Sequence, residues 1–380
     1  MKNYFCLKKM KQMCFFLILL GGAIQPAFSQ NKSNFQSTSV YNDGTVRFQM
    51  MAPKATDVKL NFQFIGRELP MKKDSNNLWS ISVPNVEPDI YPYHFVVDGI
   101  RVADPKNSWI FPNEGFQNSL IEVPSKEGSS ATIRDIPHGK VSYVYYRSNV
   151  TGMGLRPMLI YTPPGYENNP KEDYPVLFLL HGSSDTEETW TKVGRANIIL
   201  DNLICEKKAK PMIIAMPYGR CYPLIEKESG SIRNRDNLEL FASDFINGIY
   251  PYVLNNYRVQ KGANSHAIAG FSGGGGQALY IGTNNPNLMS WVCGFAPGML
   301  ESEFNQNNAV LFANPEAANK RIKLFWIGCG QDDPVYGPIK KYMTLLDEKK
   351  IKYEHFKSKG GHTWMNCRLF LTEISQKLFH

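Results

Sequence analysis

Four unbroken apolar runs in the second half of the chain limit its fold more than any other feature. They are Val176-Leu177-Phe178-Leu179-Leu180, Met212-Ile213-Ile214-Ala215-Met216, Ala267-Ile268-Ala269 and Leu324-Phe325-Trp326-Ile327. Runs of this kind suit strands buried on both faces, as in a parallel sheet covered by helices. Three of them lead into glycine, at His181-Gly182, Gly270 and Gly328. Between them, Ile199, Leu203 and Ile204 share one helical face, and Phe241, Phe245, Ile249 and Val253 share another. Strands alternating with helices predict an α/β domain over residues 141–380, with a mostly parallel central sheet.

The first half follows a different period. Val46, Phe48 and Met50 alternate with polar neighbours. So do Val58, Leu60, Phe62 and Phe64, then Trp79, Ile81 and Val83, then Tyr91, Tyr93, Phe95 and Val97. Period-2 alternation places one face of each strand on a core. Short strands broken by Pro, Gly and Asn predict a small all-β, immunoglobulin-like sandwich over residues 41–125. The polar residues 30–40 read as a flexible N-terminus, and 126–140 as a linker. No internal repeat interrupts this plan.

Residues 1–29 carry a basic start, an apolar run from Met13 to Leu20, and the small residues Ala27 and Ser29. That order predicts a secretory signal cleaved between Ser29 and Gln30 and a secreted or periplasmic protein. The run is too short to span a bilayer comfortably. The segment holds four of the lysines and no acid, so its removal lowers the formal net charge from +8 to +4. That balance gives no argument for a nucleic-acid partner, and no later run reads as a membrane span. Five cysteines follow the segment: Cys205, Cys221, Cys293, Cys329 and Cys367. Their spacing shows no metal-ligand pattern. An odd number leaves at least one thiol unpaired, and a Cys329–Cys367 disulfide is one possibility.

Gly270-Phe271-Ser272-Gly273-Gly274 matches G-x-S-x-G, in which a serine sits on a tight strand-to-helix turn between glycines. The same stretch admits another reading. Gly273, Gly275 and Ala278 fit the G-x-G-x-x-A of a dinucleotide-binding turn, although no later strand ends in the acid such a site needs. The serine reading requires a base and a group to orient it, in the order Ser, acid, His. Gly330-Gln331-Asp332-Asp333 follows one apolar strand and Gly360-Gly361-His362 follows the β-like stretch Tyr353 to Phe356. His362 is therefore the expected base and Asp333 the expected acid, with Asp332 a turn residue ahead of Pro334. The expected oxyanion donors are the N–H groups of Gly273 and of Ser183, the latter in His181-Gly182-Ser183-Ser184. His181 is expected to hold that loop by a hydrogen bond.

Tyr161-Thr162-Pro163-Pro164-Gly165-Tyr166, the stretch Tyr174 to Gly182, Gly270-Phe271-Ser272 and Gly361-His362-Thr363-Trp364 together resemble carbohydrate esterase family one. That family holds feruloyl and acetyl-xylan esterases and is similar to enterochelin esterases. The resemblance covers roughly residues 140–380. It implies an α/β-hydrolase fold, and its acid at the end of a Gly-x-x-Asp segment falls on Asp333. Val97-Asp98-Gly99 and Asp104-Pro105 resemble the early-set or glycogen-binding sandwich often joined to such esterases. One departure stands out. The family commonly carries Met after the serine, whereas this chain has Gly273, which keeps the N–H donor and loses the side chain's packing.

These readings lead to a secreted serine esterase acting on feruloyl or acetyl esters of plant xylan through Ser272, Asp333 and His362. The expected partner is an ester-decorated polysaccharide or oligosaccharide. No metal or organic cofactor is required. Trp190, Tyr336 and Trp364 are candidates for stacking on sugar or aryl groups. The alternatives are a siderophore esterase and a catalytically weak carbohydrate-binding homologue using Trp79 or Trp109.

Overall fold

The second-half runs form one eight-stranded sheet, and the first-half strands form two smaller sheets packed face to face. The computed structural model describes residues 35–125, 128–148, 154–221 and 235–380. The expected signal segment and its cleavage site lie outside these residues, with Cys6 and Cys14. Gln36–His380 forms one compact unit.

The N-terminal strands are β1 Thr38–Val40, β2 Val46–Met51, β3 Val58–Phe62, β4 Arg67–Pro70, β5 Lys72–Lys73, β6 Leu78–Val83, β7 Asp89–Val97, β8 Ile100–Val102 and β9 Ser119–Val123. One sheet has the order β1-β2-β6-β5, and the other β4-β3-β7-β8, with β9 also paired to β7. The alternation read from sequence sets the core: Val46, Phe48, Val58, Leu60, Phe62, Tyr93 and Phe95 are wholly buried between the sheets. Strand β7 departs from a half-solvated strand because both of its faces are covered. Tyr91, Tyr93 and Phe95 enter the sandwich core, whereas Ile90 on the opposite face joins the core of the second sheet. Phe111 and Leu120 cross to that second core as well.

The large sheet comprises β10 Lys140–Ser148, β11 Gly154–Thr162, β12 Val176–Leu180, β13 Ile213–Pro217, β14 His266–Phe271, β15 Trp291–Phe295, β16 Leu324–Gly330 and β17 Glu354–Ser358. Its order is β10-β11-β13-β12-β14-β15-β16-β17. The first two strands form an antiparallel edge, and the six from β13 to β17 pair in parallel. Every residue of β12, β13, β14, β15 and β16 is buried, as two covered faces require. Phe241, Phe245, Ile249 and Val253 form one buried stripe through Arg235–Asp244, a π-helical turn at Phe245–Ile249, and Tyr250–Asn256.

The stretch expected as a linker is held against the sheet's helices. The Arg195 guanidinium donates to Ala131 O and clasps Glu122 at 2.9 and 2.6 Å. Asn202 donates to the carbonyls of Ser130 and Thr132. All five cysteines among the described residues are free thiols, so the considered Cys329–Cys367 bridge is absent. Burial in apolar surroundings pushes the Cys293 thiol well up and the Cys329 thiol to about 12, which keeps both protonated and inert.

Candidate active site

A parallel sheet gathers side chains at the carboxyl ends of its strands. Four loops meet there: those after β12, β14, β16 and β17, which carry Ser183, Ser272, Asp333 and His362. Ser272 has φ 54° and ψ −117°, a conformation costly for a residue with a Cβ, at the turn between β14 and the helix Gly273–Asn284. The turn is tight enough to require glycine on either side. A Cβ on Gly270 would lie 2.2 Å from Gly274 O, and one on Gly274 would lie 2.2 Å from His181 O. The glycines thus serve the serine turn, and Gly275 packs against Gly270 O and Pro297.

His362 Nδ1–H donates to Asp333 Oδ2 at 2.8 Å. The Asp333 side chain is buried, and its other oxygen accepts the Val335 N–H at 2.9 Å. This pair of bonds fixes the carboxylate and leaves His362 Nε2 for another partner. The imidazole lies on the Phe271 ring, with centroids 4.6 Å apart. Asp332 is exposed and uses its N–H to bond Gly360 O, as a turn residue does.

His181 is fully buried and uses both ring nitrogens: Nδ1–H donates to Gly182 O at 2.8 Å, and Nε2 accepts the Gly219 N–H at 2.9 Å. Burial pushes its pKa down to about 4, so the ring is neutral and structural. The loop that supplies Gly219 is anchored by Arg156. This buried guanidinium donates to the carbonyls of Tyr218 and Arg220 and pairs with Asp244 at 3.0 Å. Arg156 was not singled out from sequence, because a lone arginine in a half-polar strand carries no local signal.

Asp185 was missed as well. It is buried beside the Ser183 loop, where Oδ2 accepts the Gly182 N–H at 3.2 Å and Oδ1 accepts Asn113 Nδ2 at 2.8 Å. Burial raises its pKa to about 7 against these two hydrogen bonds. Asn113 belongs to the N-terminal half, and the same amide donates to Ser184 Oγ at 3.1 Å. Glu114 N–H donates to Ser184 O at 2.7 Å, and Thr189 Oγ1 donates to Pro112 O at 2.7 Å. The segment after β8 is therefore stitched to the candidate oxyanion loop.

Ser272, His362 and Ser183 line one cavity of about 540 Å³, a size suited to a small organic ligand. Phe111, Phe116, Phe271 and Trp364 line it too. Of the three aromatic candidates, Trp364 alone reaches it. Trp190 is wholly buried behind Trp364, with its indole N–H bonded to Leu180 O, so it is a core residue. Tyr336 opens the helix Tyr336–Glu348 and stacks on His355 away from the cavity. Nor are Trp79 and Trp109 free platforms, because their indole N–H groups bond Ala52 O and Lys192 O, and Arg195 lies over Trp109.

A family model described as "Putative esterase" matches residues 152–378. A second, carbohydrate-binding module 48 (isoamylase N-terminal domain), matches residues 34–110. An endo-1,4-beta-xylanase/feruloyl esterase of Xylanibacter ruminicola is 29% identical over 356 residues, covering 92% of this chain and 47% of that protein. The chain spans less than half the length of the curated relatives it matches. The structure of a ferulic acid esterase from Anaeromyces mucronatus is 26% identical with a TM-score of 0.55, covering 68% of this chain and 96% of that one. The enterobactin esterase of Shigella flexneri is 16% identical with a TM-score of 0.65, covering 90% and 95%, and so shares the fold across both halves.

Proposed function

Because the chain belongs to the esterase family over residues 152–378, we propose that it hydrolyses carboxylic esters with Ser272 as nucleophile, His362 as base and Asp333 as the orienting acid. The observation that carries this reading is the 2.8 Å His362–Asp333 bond beside a serine held at positive φ on the same cavity. His362 Nε2 takes the Ser272 proton as Oγ attacks the ester carbonyl. Asp333 holds the Nδ1–H tautomer and stabilises the imidazolium. The N–H groups of Gly273 and Ser183 receive the tetrahedral oxyanion. Collapse of that intermediate gives an acyl-enzyme as the alcohol leaves with the proton from His362. Water then repeats the sequence and releases the acid.

We assign the substrate to feruloyl or acetyl esters on plant cell-wall polysaccharide. The Xylanibacter relative and the ferulic acid esterase structure support this class. The aromatic lining beside Ser272 also suits an aryl acyl group. Cleavage between Ser29 and Gln30 would release such an enzyme outside the cell, and the N-terminal sequence of the secreted protein tests that.

The catalytic test is a substrate panel of methyl ferulate, acetylated xylan, an aryl acetate and a catechol siderophore ester, each with wild type and Ser272→Ala. Ser272→Ala should lower turnover about 10⁶-fold on every ester the wild type cleaves. Near-normal turnover in that variant would remove Ser272 from the mechanism.

A further inference from the structure

The peptide that joins Gly182 to Ser183 is held in one orientation. Its carbonyl, Gly182 O, accepts two hydrogen bonds, from His181 Nδ1–H at 2.8 Å and from the Asp185 N–H at 3.2 Å. A trans peptide is planar, so its N–H points opposite to its C=O. The Ser183 N–H is therefore turned away from the His181 ring and the Asp185 backbone. Among the described residues it has no hydrogen-bond partner, and Ser183 lines the cavity together with Ser272. A fixed, unengaged N–H beside a nucleophile is the donor that a developing oxyanion requires.

Asp185 closes this turn from both ends. Its own N–H bonds Gly182 O, and its Oδ2 accepts the Gly182 N–H at 3.2 Å. The two groups approach so closely that a Cβ on residue 182 would lie 2.7 Å from Oδ2, which accounts for glycine at that position. Oδ1 accepts Asn113 Nδ2 at 2.8 Å, and this bond fixes the other end of the carboxyl. The side chain is buried, and burial disfavours its charged form. A carboxyl in such surroundings is unfavourable unless its oxygens are hydrogen-bonded. Both oxygens of Asp185 are engaged by the turn and its support. Nor is Asp185 a second orienting acid, because His362 Nδ1 is already bonded to Asp333.

We infer that Asp185 is a positioning residue for the oxyanion hole. By gripping Gly182 at its N–H and at its C=O, it fixes the plane of the 182–183 peptide. That plane aims the Ser183 N–H at the oxygen that becomes negative when Ser272 attacks. The inference rests on the esterase reading, with Ser272 as nucleophile and Ser183 as a donor. An oxyanion donor acts on the tetrahedral intermediate more than on the bound ester, so misaligning it lowers kcat with little change in KM. A residue that only held the fold together would lower the melting temperature and leave kcat per folded molecule unchanged.

The test measures kcat and KM on an aryl acetate, and the Ki of benzeneboronic acid, for wild type, Asp185→Ala, Asp185→Asn and Asn113→Ala. The boronic acid adds to a serine hydroxyl and presents a tetrahedral, anionic oxygen to the oxyanion donors. Near-ultraviolet circular dichroism gives the folded fraction of each variant. Asp185→Ala should lower kcat about 100-fold, the loss expected of one misplaced donor, keep KM within about threefold and raise Ki about tenfold or more. Asp185→Asn keeps an acceptor oxygen for the Gly182 N–H and should recover kcat to within about tenfold of wild type. Asn113→Ala frees the other end of the carboxyl and should lower kcat about tenfold at unchanged KM, so it carries the test if Asp185→Ala does not fold. A kcat within twofold of wild type in folded Asp185→Ala, or in Asn113→Ala where the first does not fold, overturns the inference. So does a loss of kcat that leaves Ki for the boronic acid unchanged, or one that Asp185→Asn does not reduce. Failure of the esterase reading shows differently, as a wild type that leaves the aryl acetate intact or a Ser272→Ala variant that still cleaves it.

Discussion

Substitution of Gly274 by alanine tests how the candidate nucleophile and oxyanion loop are held together. The added Cβ would sit 2.2 Å from His181 O and 2.9 Å from both the carbonyl carbon and oxygen of Leu180. These are backbone atoms, and real Cβ contacts essentially never fall under 3.0 Å. Something must therefore move by at least about 0.8 Å, within the range over which misplacement degrades catalysis. Strand β12 cannot retreat, since it is bonded to β13 on one side and β14 on the other. The helix Gly273–Asn284 has to shift instead, carrying the Gly273 N–H away from the Ser183 N–H. Overpacking of this kind costs about 1–3 kcal/mol, so the melting temperature should fall by several degrees. A displacement near 1 Å at the reacting groups should lower kcat/KM on an aryl acetate about 100-fold. Gly337→Ala is the control. Its Cβ would meet nothing within 4 Å, and it lies in the helix Tyr336–Glu348, where alanine should stabilise by about 0.5–1 kcal/mol. A Gly274→Ala variant that melts with the wild type and keeps kcat/KM within threefold would refute this coupling.

Asp185 predicts a pH dependence of stability. Burial raises its pKa from 3.8 to about 7, so between those values the folded chain holds a proton that the unfolded chain has lost. Its contribution to stability is fully present below about pH 4 and is lost as pH rises through about 7. Urea unfolding at several pH values should show that fall in wild type and a flatter profile in Asp185→Asn, and parallel profiles would contradict the assignment. Arg368 is buried where the sandwich meets the large sheet's helices. It pairs with Asp89 and donates to Val193 O at 2.7 Å and Ile90 O at 3.3 Å. Arg368→Met should cost about 3–5 kcal/mol by urea unfolding, because it leaves those acceptors unpaired, and Arg368→Met with Asp89→Leu should cost less than the single change.

The sequence carried the parts of this protein that repeat with a period or sit in a fixed local frame. Unbroken apolar runs located β12, β13, β14 and β16, because burial on both faces disfavours polar residues, with His266 at the start of β14 the exception. The antiparallel edge left a weaker mark. Strand β10 alternates exposed Tyr143 and Tyr145 with a half-buried Val144, and only one of its faces is packed. Ser272, Asp333 and His362 were legible because each follows a strand end in a glycine-bearing loop, and the structure brings Asp333 and His362 into contact. Asp185, Asn113 and Arg156 were not legible, since each acts through a partner 62 or more residues away.

The outer face of the sandwich shows where such reading stops for a physical reason. Alternation in β3 and β7 correctly separates Leu60 and Phe62 from Asn61, and Tyr93 and Phe95 from His94. It says which residues leave the sandwich core, but polar residues leaving a core look the same whether water or a second module awaits them. What distinguishes the two cases is desolvation. His94 is 4% exposed, against the half-solvated position expected on a free sheet face. Burial of a polar ring is unfavourable unless something else stabilises the arrangement. Here the Ile90, Phe111 and Leu120 side chains enter the neighbouring core and draw the sheet face over the cavity. The apolar contacts fix the position of the wall, and His94 and Asn118 are desolvated with it. Alternation within β3 and β7 cannot report that desolvation, because Phe111 and Leu120, which help to bring it about, lie outside both strands.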